Sequence, residues 1–213
     1  MGRTRSDIEP RIVDAARVRF LREGIDGASL RAIAADAGTS IGMVYYYFKT
    51  KDDLFFAVVE RPYTQLLDDL SRVCDPAYPP SERIRGIYRR IGQISDEESE
   101  VVRLVIREIL VSSTRLQRLL ARFQRGHFPL ILKTIADGMR EGSIRDDVMP
   151  LLLLSVTAAV GVIPQFALRQ LAPSAVDALP DVLVELLYGG ISPPDKSPTR
   201  TRTRAASKGT RGS

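Results

Sequence analysis

The chain has 213 residues, enough for one large domain or two smaller ones, with the glycine, proline and charged fractions of a globular protein. One cysteine, Cys74, and one histidine, His127, exclude an internal disulfide and leave nothing to build a thiolate or histidine-rich metal site, so no metal or other cofactor is expected. Residues 193–213 carry six Lys/Arg against one Asp, and the other 25 basic and 25 acidic side chains cancel, so the net charge of +5 belongs to the tail and lends the body no nucleic-acid character.

The opening MGRTRSDIEP lacks the apolar stretch of a signal peptide, and together with the single cysteine it fits a reducing cytoplasm, the expected location. Met1 to Ser6 reads as a short arm whose Arg3 and Arg5 either reach a minor groove or phosphates, or are simply a basic end. A first helix is predicted from near Asp7 to Gly24, with Ile12, Ala15, Ala16 and Phe20 as its buried stripe.

The stretch from Ser29 to Lys51 follows. Leu30, Ile33, Ala34 and Ala37 recur at the spacing of one buried helix face, with Ser29 as N-cap and Gly38 to end the helix. Thr39 and Ser40 provide a turn and a second N-cap, and Val44 and Phe48 the buried face of a second short helix. Gly42, Met43, Tyr46 and Tyr47 then point mostly outward. Such a pair is either a helix-turn-helix, whose second helix enters the DNA major groove, or an ordinary helical hairpin. Successive helix residues lie about 100° apart. The three consecutive tyrosines, Tyr45 to Tyr47, therefore cannot all face one core.

Thr50, with Asp53 three residues on, caps a long helix predicted to reach about Cys74, with Leu54, Phe55, Val58 and Val59 opening its apolar stripe and Pro62 expected to bend it. Asp75 to Pro80 breaks it. Helices are predicted over Ser81 to Ser95 and Asp96 to about Ser112. A third, capped by Ser113 or Thr114, is predicted to run to about Gly142 with Pro129 as a kink inside it. Val148 to Gln165 holds no charged residue, but Pro150, Pro164, Ser155, Thr157 and Gln165 argue for a helix buried in protein rather than in a membrane. Ser174 to Tyr188 is the last predicted helix, and the proline- and arginine-spaced ending is expected to be disordered and to add sequence-independent attraction to phosphates.

The run R-x-I-A-x-x-A-G, then S-x-G-x-V-Y-x-Y-F-K-x-K-x-x-L, falls here on Arg31, Ile33, Ala34, Ala37, Gly38, Ser40, Gly42, Val44, Tyr45, Tyr47, Phe48, Lys49, Lys51 and Leu54. With Ile12, Ala15, Ala16, Phe20 and Gly24 ahead of it, it resembles the DNA-binding domain of the tetracycline-repressor (TetR) family. The resemblance implies an all-α fold. Residues 1–50 would be a three-helix helix-turn-helix DNA-binding domain, residues 51–192 a helical effector-binding and dimerisation domain, and residues 193–213 the basic tail. The helix over about 51–74 would link the first two.

It further implies a transcriptional regulator, usually a repressor, that is not an enzyme. Such a protein binds double-stranded operator DNA as a homodimer and is released by a small ligand. The helices at about 148–171 and 174–188 would form the dimer surface. By the same resemblance Tyr45 and Tyr47 clamp phosphates, Lys51 meets the backbone at a helix start, and Ser29, Arg31 and Ser40 belong to the DNA-facing motif. Gly42 permits close approach, and Met43 and Tyr46 would touch thymine methyls or base faces. Ile41, apolar where many relatives are polar, either touches DNA or lies at the core edge.

Tyr88, Arg103, Arg107, Phe123, His127, Gln165 and Phe166 are the candidate ligand-binding residues, and for the polar ones among them a structural contact is the stronger reading. The apolar, aromatic setting of Phe123, Phe128 and Phe166 favours a small hydrophobic effector. The rival readings are a helical enzyme, or a scaffold that has kept the fold without binding an operator.

Overall fold

The computed structural model describes residues 7–156, 158–159, 171–172, 174, 178 and 181–186, and these are helical or connecting throughout, with no strand among them. The helices are α1 (Ile8–Glu23), α2 (Leu30–Asp36), α3 (Ile41–Tyr47), α4 (Lys51–Val73), α5 (Pro80–Gly92), α6 (Asp96–Val111), α7 (Ser113–Gln124) and α8 (His127–Arg140). Further helical residues lie at 150–156 and 181–186. No helix among the described residues is long and apolar enough to cross a membrane.

Local chemistry sets the boundaries. Ser29 and Ser40 each accept a backbone N–H three residues on, at 3.5 and 3.3 Å, and so start α2 and α3. α2 ends on Gly38, whose φ of +61° suits glycine, and its last carbonyls are taken by Gly38 and Thr39 N–H groups at 3.0 and 2.9 Å. Thr50 and Asp53 form a reciprocal capping box at the start of α4, and Ser95 and Glu98 another at α6. α4 runs unbroken through Pro62.

Four expectations are corrected. The helix predicted from Ser113 or Thr114 to Gly142 is two helices, α7 and α8, parted at Arg125 and Gly126. Pro129 is not a kink: it stands in the first turn of α8, where a missing N–H costs nothing. The break falls at Gly126, whose backbone leaves the helical region at φ −111° and ψ −109°, and there the Tyr63 hydroxyl lies where a Cβ would stand, so only glycine fits. The cap of α7 is Ser112, a single extended residue that closes α6 and opens α7, its hydroxyl accepting from Arg115 N–H at 3.3 Å. Of the helix predicted over Ser174 to Tyr188, Ala178 lies in a turn and 181–186 are helical, so it is not one unbroken helix, and its remaining residues other than Ser174 lie outside the described ones.

The cores follow from these elements. One cluster joins Ile12, Ala16 and Phe20 of α1, Ile33 and Ala34 of α2, Val44 of α3 and Leu54, Phe55, Val58 and Val59 of α4. Val101 and Leu104 of α6 and Leu119 of α7 complete it, so the core does not divide at residue 50. The far half of α4 (Leu70, with Leu66 and Val73 beside it) packs instead with Cys74 and Ile87. A third cluster gathers Ile84, Tyr88, Ile135, Ile144, Leu153, Leu154, Leu183 and Val184. Beneath it lies the buried ion pair of Arg83 and Asp137 at 2.8 Å. Hydrogen bonds from Arg83, and then Lys133, hold the Asp137 carboxyl well below the usual carboxylate range.

Gly126→Ala is expected to destabilise the fold by about 1–3 kcal/mol, the usual cost of forcing a methyl into occupied space. Adding Tyr63→Phe, which removes the obstructing hydroxyl, should recover part of that loss in urea unfolding. An alanine variant as stable as the parent would contradict the assignment.

Candidate nucleic-acid interface

α1, α2 and α3 form a small head whose interior is apolar and whose outer edge is α3. Val44 and Phe48 turn inward, 0% and 7% exposed, while Tyr45 and Tyr46 stand out at 50% and 69%. Gly42 is exposed beside them, with only the Ser40 hydroxyl near the position a Cβ would take. Met43 is half-buried. Tyr47 packs against the head's core and meets Tyr46 edge to face, ring centroids 5.1 Å apart. Of the two tyrosines expected as clamps, Tyr45 therefore offers an open hydroxyl edge and Tyr47 a half-buried one.

Ile41 lies half-buried against the same core, on the inner side of α3. Ser29, Arg31 and Ser40 are exposed, the two serines at the helix starts they cap. The turn between α2 and α3 is fastened from α1, where the Arg11 guanidinium donates to Gly38 O at 3.1 Å. Lys51 Nζ donates to Asp26 O at 2.9 Å, tying the start of α4 to the α1–α2 loop. Its other two N–H donors leave room for an anion. Arg3 and Arg5 lie outside the described residues.

This is a helix of seven residues with one exposed face, capped by serine and set across a turn at Gly38 from α2, with aromatic hydroxyls on that face and Lys51 just beyond it in the chain. The family model for bacterial regulatory proteins of the tetR family matches residues 12–58, the segment that builds the head and the first turns of α4. The HTH-type transcriptional repressor SCO4008 of Streptomyces coelicolor is 31% identical over 160 residues, covering 73% of this chain and 79% of that protein. The chain belongs to the tetR family.

Other relatives match over less. An HTH-type transcriptional regulator of Haemophilus influenzae is 26% identical over 102 residues, covering 48% of this chain. The nicotine-responsive transcriptional repressor HdnoR of Paenarthrobacter nicotinovorans is 35% identical over 85 residues, covering 40% of this chain. The chain spans about half the length of these two, 54% and 42% respectively. Among solved structures, the hemolysin II transcriptional regulator HlyIIR superposes with a TM-score of 0.68 at 20% identity, over 90% of this chain and 100% of that one. The fatty acid degradation regulator FadR of Bacillus halodurans gives 0.69 at 20% identity, over 85% and 98%. At these identities the likeness is one of fold.

The candidate effector residues of this tetR-family chain fall in separate places. Phe123 and His127 meet Tyr63 and Phe128 where α4, α7 and α8 converge, with ring centroids 4.9–6.0 Å apart. The Tyr63 hydroxyl accepts the His127 backbone N–H at 3.3 Å and pairs with its Nδ1 at 3.0 Å. Burial, and then the neighbouring Arg122 guanidinium, pull the His127 pKa down to about 4, so the ring is neutral at physiological pH. Tyr88 is buried in another cluster, and Arg103 is exposed on α6.

Arg107 is turned to the head, donating to Leu21 O at 3.2 Å and to Phe20 O. Gln165 and Phe166 lie outside the described residues. A separate crevice of about 840 Å³ between α4, α5 and the start of α6 is lined chiefly by charged groups, among them Arg61, Asp69, Arg72, Arg89, Arg90 and Glu98.

Sequence reasoning missed Arg11, Asp26 and Arg115 as supports of the head. No local signal marks them: Arg115 meets Asp52 and Asp26 across 63 and 89 residues of chain.

The His127 shift fixes a sign for pH. An unfolded histidine takes up its proton near pH 6.5, whereas the folded ring resists until about pH 4, so stability present at neutral pH is lost across that window as pH falls. At about 1.4 kcal/mol per unit of pKa, the loss attributable to His127 between pH 7 and 4.5 is roughly 2–3 kcal/mol. Urea midpoints for wild type and His127→Gln at the two pH values measure it. Equal pH dependence in both would refute the assignment.

Proposed function

We propose that this tetR-family chain is a transcriptional repressor that binds a palindromic DNA operator as a homodimer and releases it on binding a small molecule. The observation that carries the reading is α3: capped by Ser40, braced from behind by Val44 and Phe48, and presenting Gly42, Tyr45 and Tyr46 to solvent. A helix of that kind fits a major groove, with phosphate contacts setting its register and base edges supplying sequence information. Tyr45 and Lys51 serve as phosphate contacts, and Met43 and Tyr46 as apolar contacts to bases. Few hydrogen-bonding side chains face outward, so groove shape and thymine methyls carry a large share of the specificity.

Partner contact is supported by apolar surface beyond α8. Leu151, Leu152 and Val156 on the helical run at 150–156 are 51%, 55% and 47% exposed, and Val182 and Leu186 on that at 181–186 are 48% and 69% exposed. Exposed apolar rows on two helical runs suit a self-complementary face of a two-fold dimer. The effector is assigned to the aromatic meeting point of α4, α7 and α8. Its rings and neutral His127 favour a small, uncharged, hydrophobic molecule. An effector there would press on Tyr63, and so on α4, the helix that leaves the DNA-reading head.

Selection from a random double-stranded library with the full chain, followed by gel shift on DNA upstream of its own gene, tests the reading. Enrichment of an inverted repeat is the expected result, and binding without sequence preference would contradict it. On the selected site Tyr45→Phe and Lys51→Ala should each lose about 1 kcal/mol or more of affinity while keeping the same sequence preference. Wild-type affinity in folded samples of both variants would remove the phosphate assignment.

A further inference from the structure

Arg115, in the first turn of α7, is the most connected side chain at the junction of head and body. It is 7% exposed, and its guanidinium spends its donors on three carboxylates. Nε donates to Asp52 at 3.0 Å, Nη1 to buried Glu108 at 2.9 Å, and Nη1 and Nη2 fork onto the two oxygens of Asp26 at 3.3 and 2.6 Å. Asp26 sits in the loop that enters α2, and Asp52 in the first turn of α4, which leaves α3. One planar fork therefore grips both chain segments that bracket the helix-turn-helix.

Neighbouring groups reinforce the grip. Lys51 holds the Asp26 carbonyl at 2.9 Å, and Arg107, one turn before the end of α6, ties down the last carbonyls of α1. Lys51, Arg107 and Arg115 balance Asp26, Asp52 and Glu108, so the cluster is neutral as a whole. Down the same face of α7, Arg118 pairs with Asp53 at 3.6 Å and lies over the Phe56 ring at 3.9 Å. Arg122 pairs with Glu60 at 2.5 Å and lies over Tyr63 at 4.4 Å. The row of arginines thus runs from the head's entry loop to the aromatic cluster of His127.

Most of these contacts are ordinary stabilising pairs. Asp26 is different: its side chain is 82% exposed, it contributes little to packing, and its carboxylate still receives a two-pronged bond from a buried arginine. An exposed partner adds little stability. What the two-pronged geometry adds is direction.

We propose that Arg115 is a positioning residue for operator reading: fixed in the body, it sets the angle of the head and hence the separation of the two recognition helices in a dimer. The proposal rests on the operator reading above. Half-site spacing on DNA mirrors that separation, so spacing is the property Arg115 controls.

The test uses the full chain, with Asp26→Asn and Asp52→Asn as variants, because removing Arg115 itself would leave Glu108 buried without its partner. Affinities are measured for the selected inverted repeat and for versions with one or two base pairs inserted at its centre. The ratio between spacings is the readout, since losing a carboxylate near DNA changes all affinities alike. Wild type should discriminate against the insertions, and each variant should discriminate about five-fold less, the equivalent of one exposed ion pair. The melting temperature should stay unchanged in Asp26→Asn, whose carboxylate is exposed, and fall in Asp52→Asn, whose side chain is 30% exposed beside buried Arg115.

In the DNA-free chain, amide hydrogen exchange across residues 25–30 should quicken in both variants. Unchanged spacing ratios, or equal losses at every spacing, overturn the proposal. A wild-type chain that enriches no repeat overturns the operator reading itself, and unaltered exchange at residues 25–30 then disposes of Arg115 as the support of the head.

Discussion

Everything in this protein hangs on the double burial of α4. Its first three turns put Leu54, Phe55, Val58 and Val59 into the core of the head, against Ile12, Ala16 and Phe20. Its far end puts Leu70 and its neighbours into a second core with Cys74 and Ile87. Leu54 and Phe55 are fully buried, and burying such a side chain is worth about 1.5–3 kcal/mol. Neither core can be completed without the helix they share. Because Val101, Leu104 and Leu119 also reach the first cluster, the head of α1 to α3 has α6 and α7 as part of its own floor.

That arrangement gives the chemistry at the surface its meaning. α3 has few outward hydrogen-bonding groups, and Ile41 is drawn toward the core. Under the proposed operator reading its placement matters more than usual as a result, because shape and methyl contacts reward position rather than the choice of donor. Two kinds of bond supply placement. Capping by Ser29, Ser40 and Thr50 fixes each helix start from within the motif. Arg11, Lys51 and Arg115 fix the turn and the two flanking segments from outside it. The net charge of the chain takes no part in this, since it resides in residues 193–213.

How much of this could be read from the chain depended on the range of the interaction involved. Ser29, Gly38, Ser40 and the Thr50–Asp53 pair act within three or four residues of themselves, and the helices they bound are found where their pattern puts them. The division of α7 from α8 at Gly126 is hard to read because the group that reserves the position for glycine, the Tyr63 hydroxyl, lies far upstream in sequence. Pro129 drew attention as a breaker when it is merely tolerated near a helix start. Of the two readings of Arg107, ligand contact or a bond to a neighbouring helix, the second holds, with α1 as the partner, and Asp26 and Arg115 carry no mark at all, since a charge gives no sign in sequence of the distant partner it will find.

The central claim, that head and body share one core through α4, is tested most directly by differential scanning calorimetry of the DNA-free full chain. One endotherm is predicted, with head and body melting together. Two resolved transitions would contradict the account, above all an early one of the size due to about fifty residues at roughly 0.7 kcal/mol each.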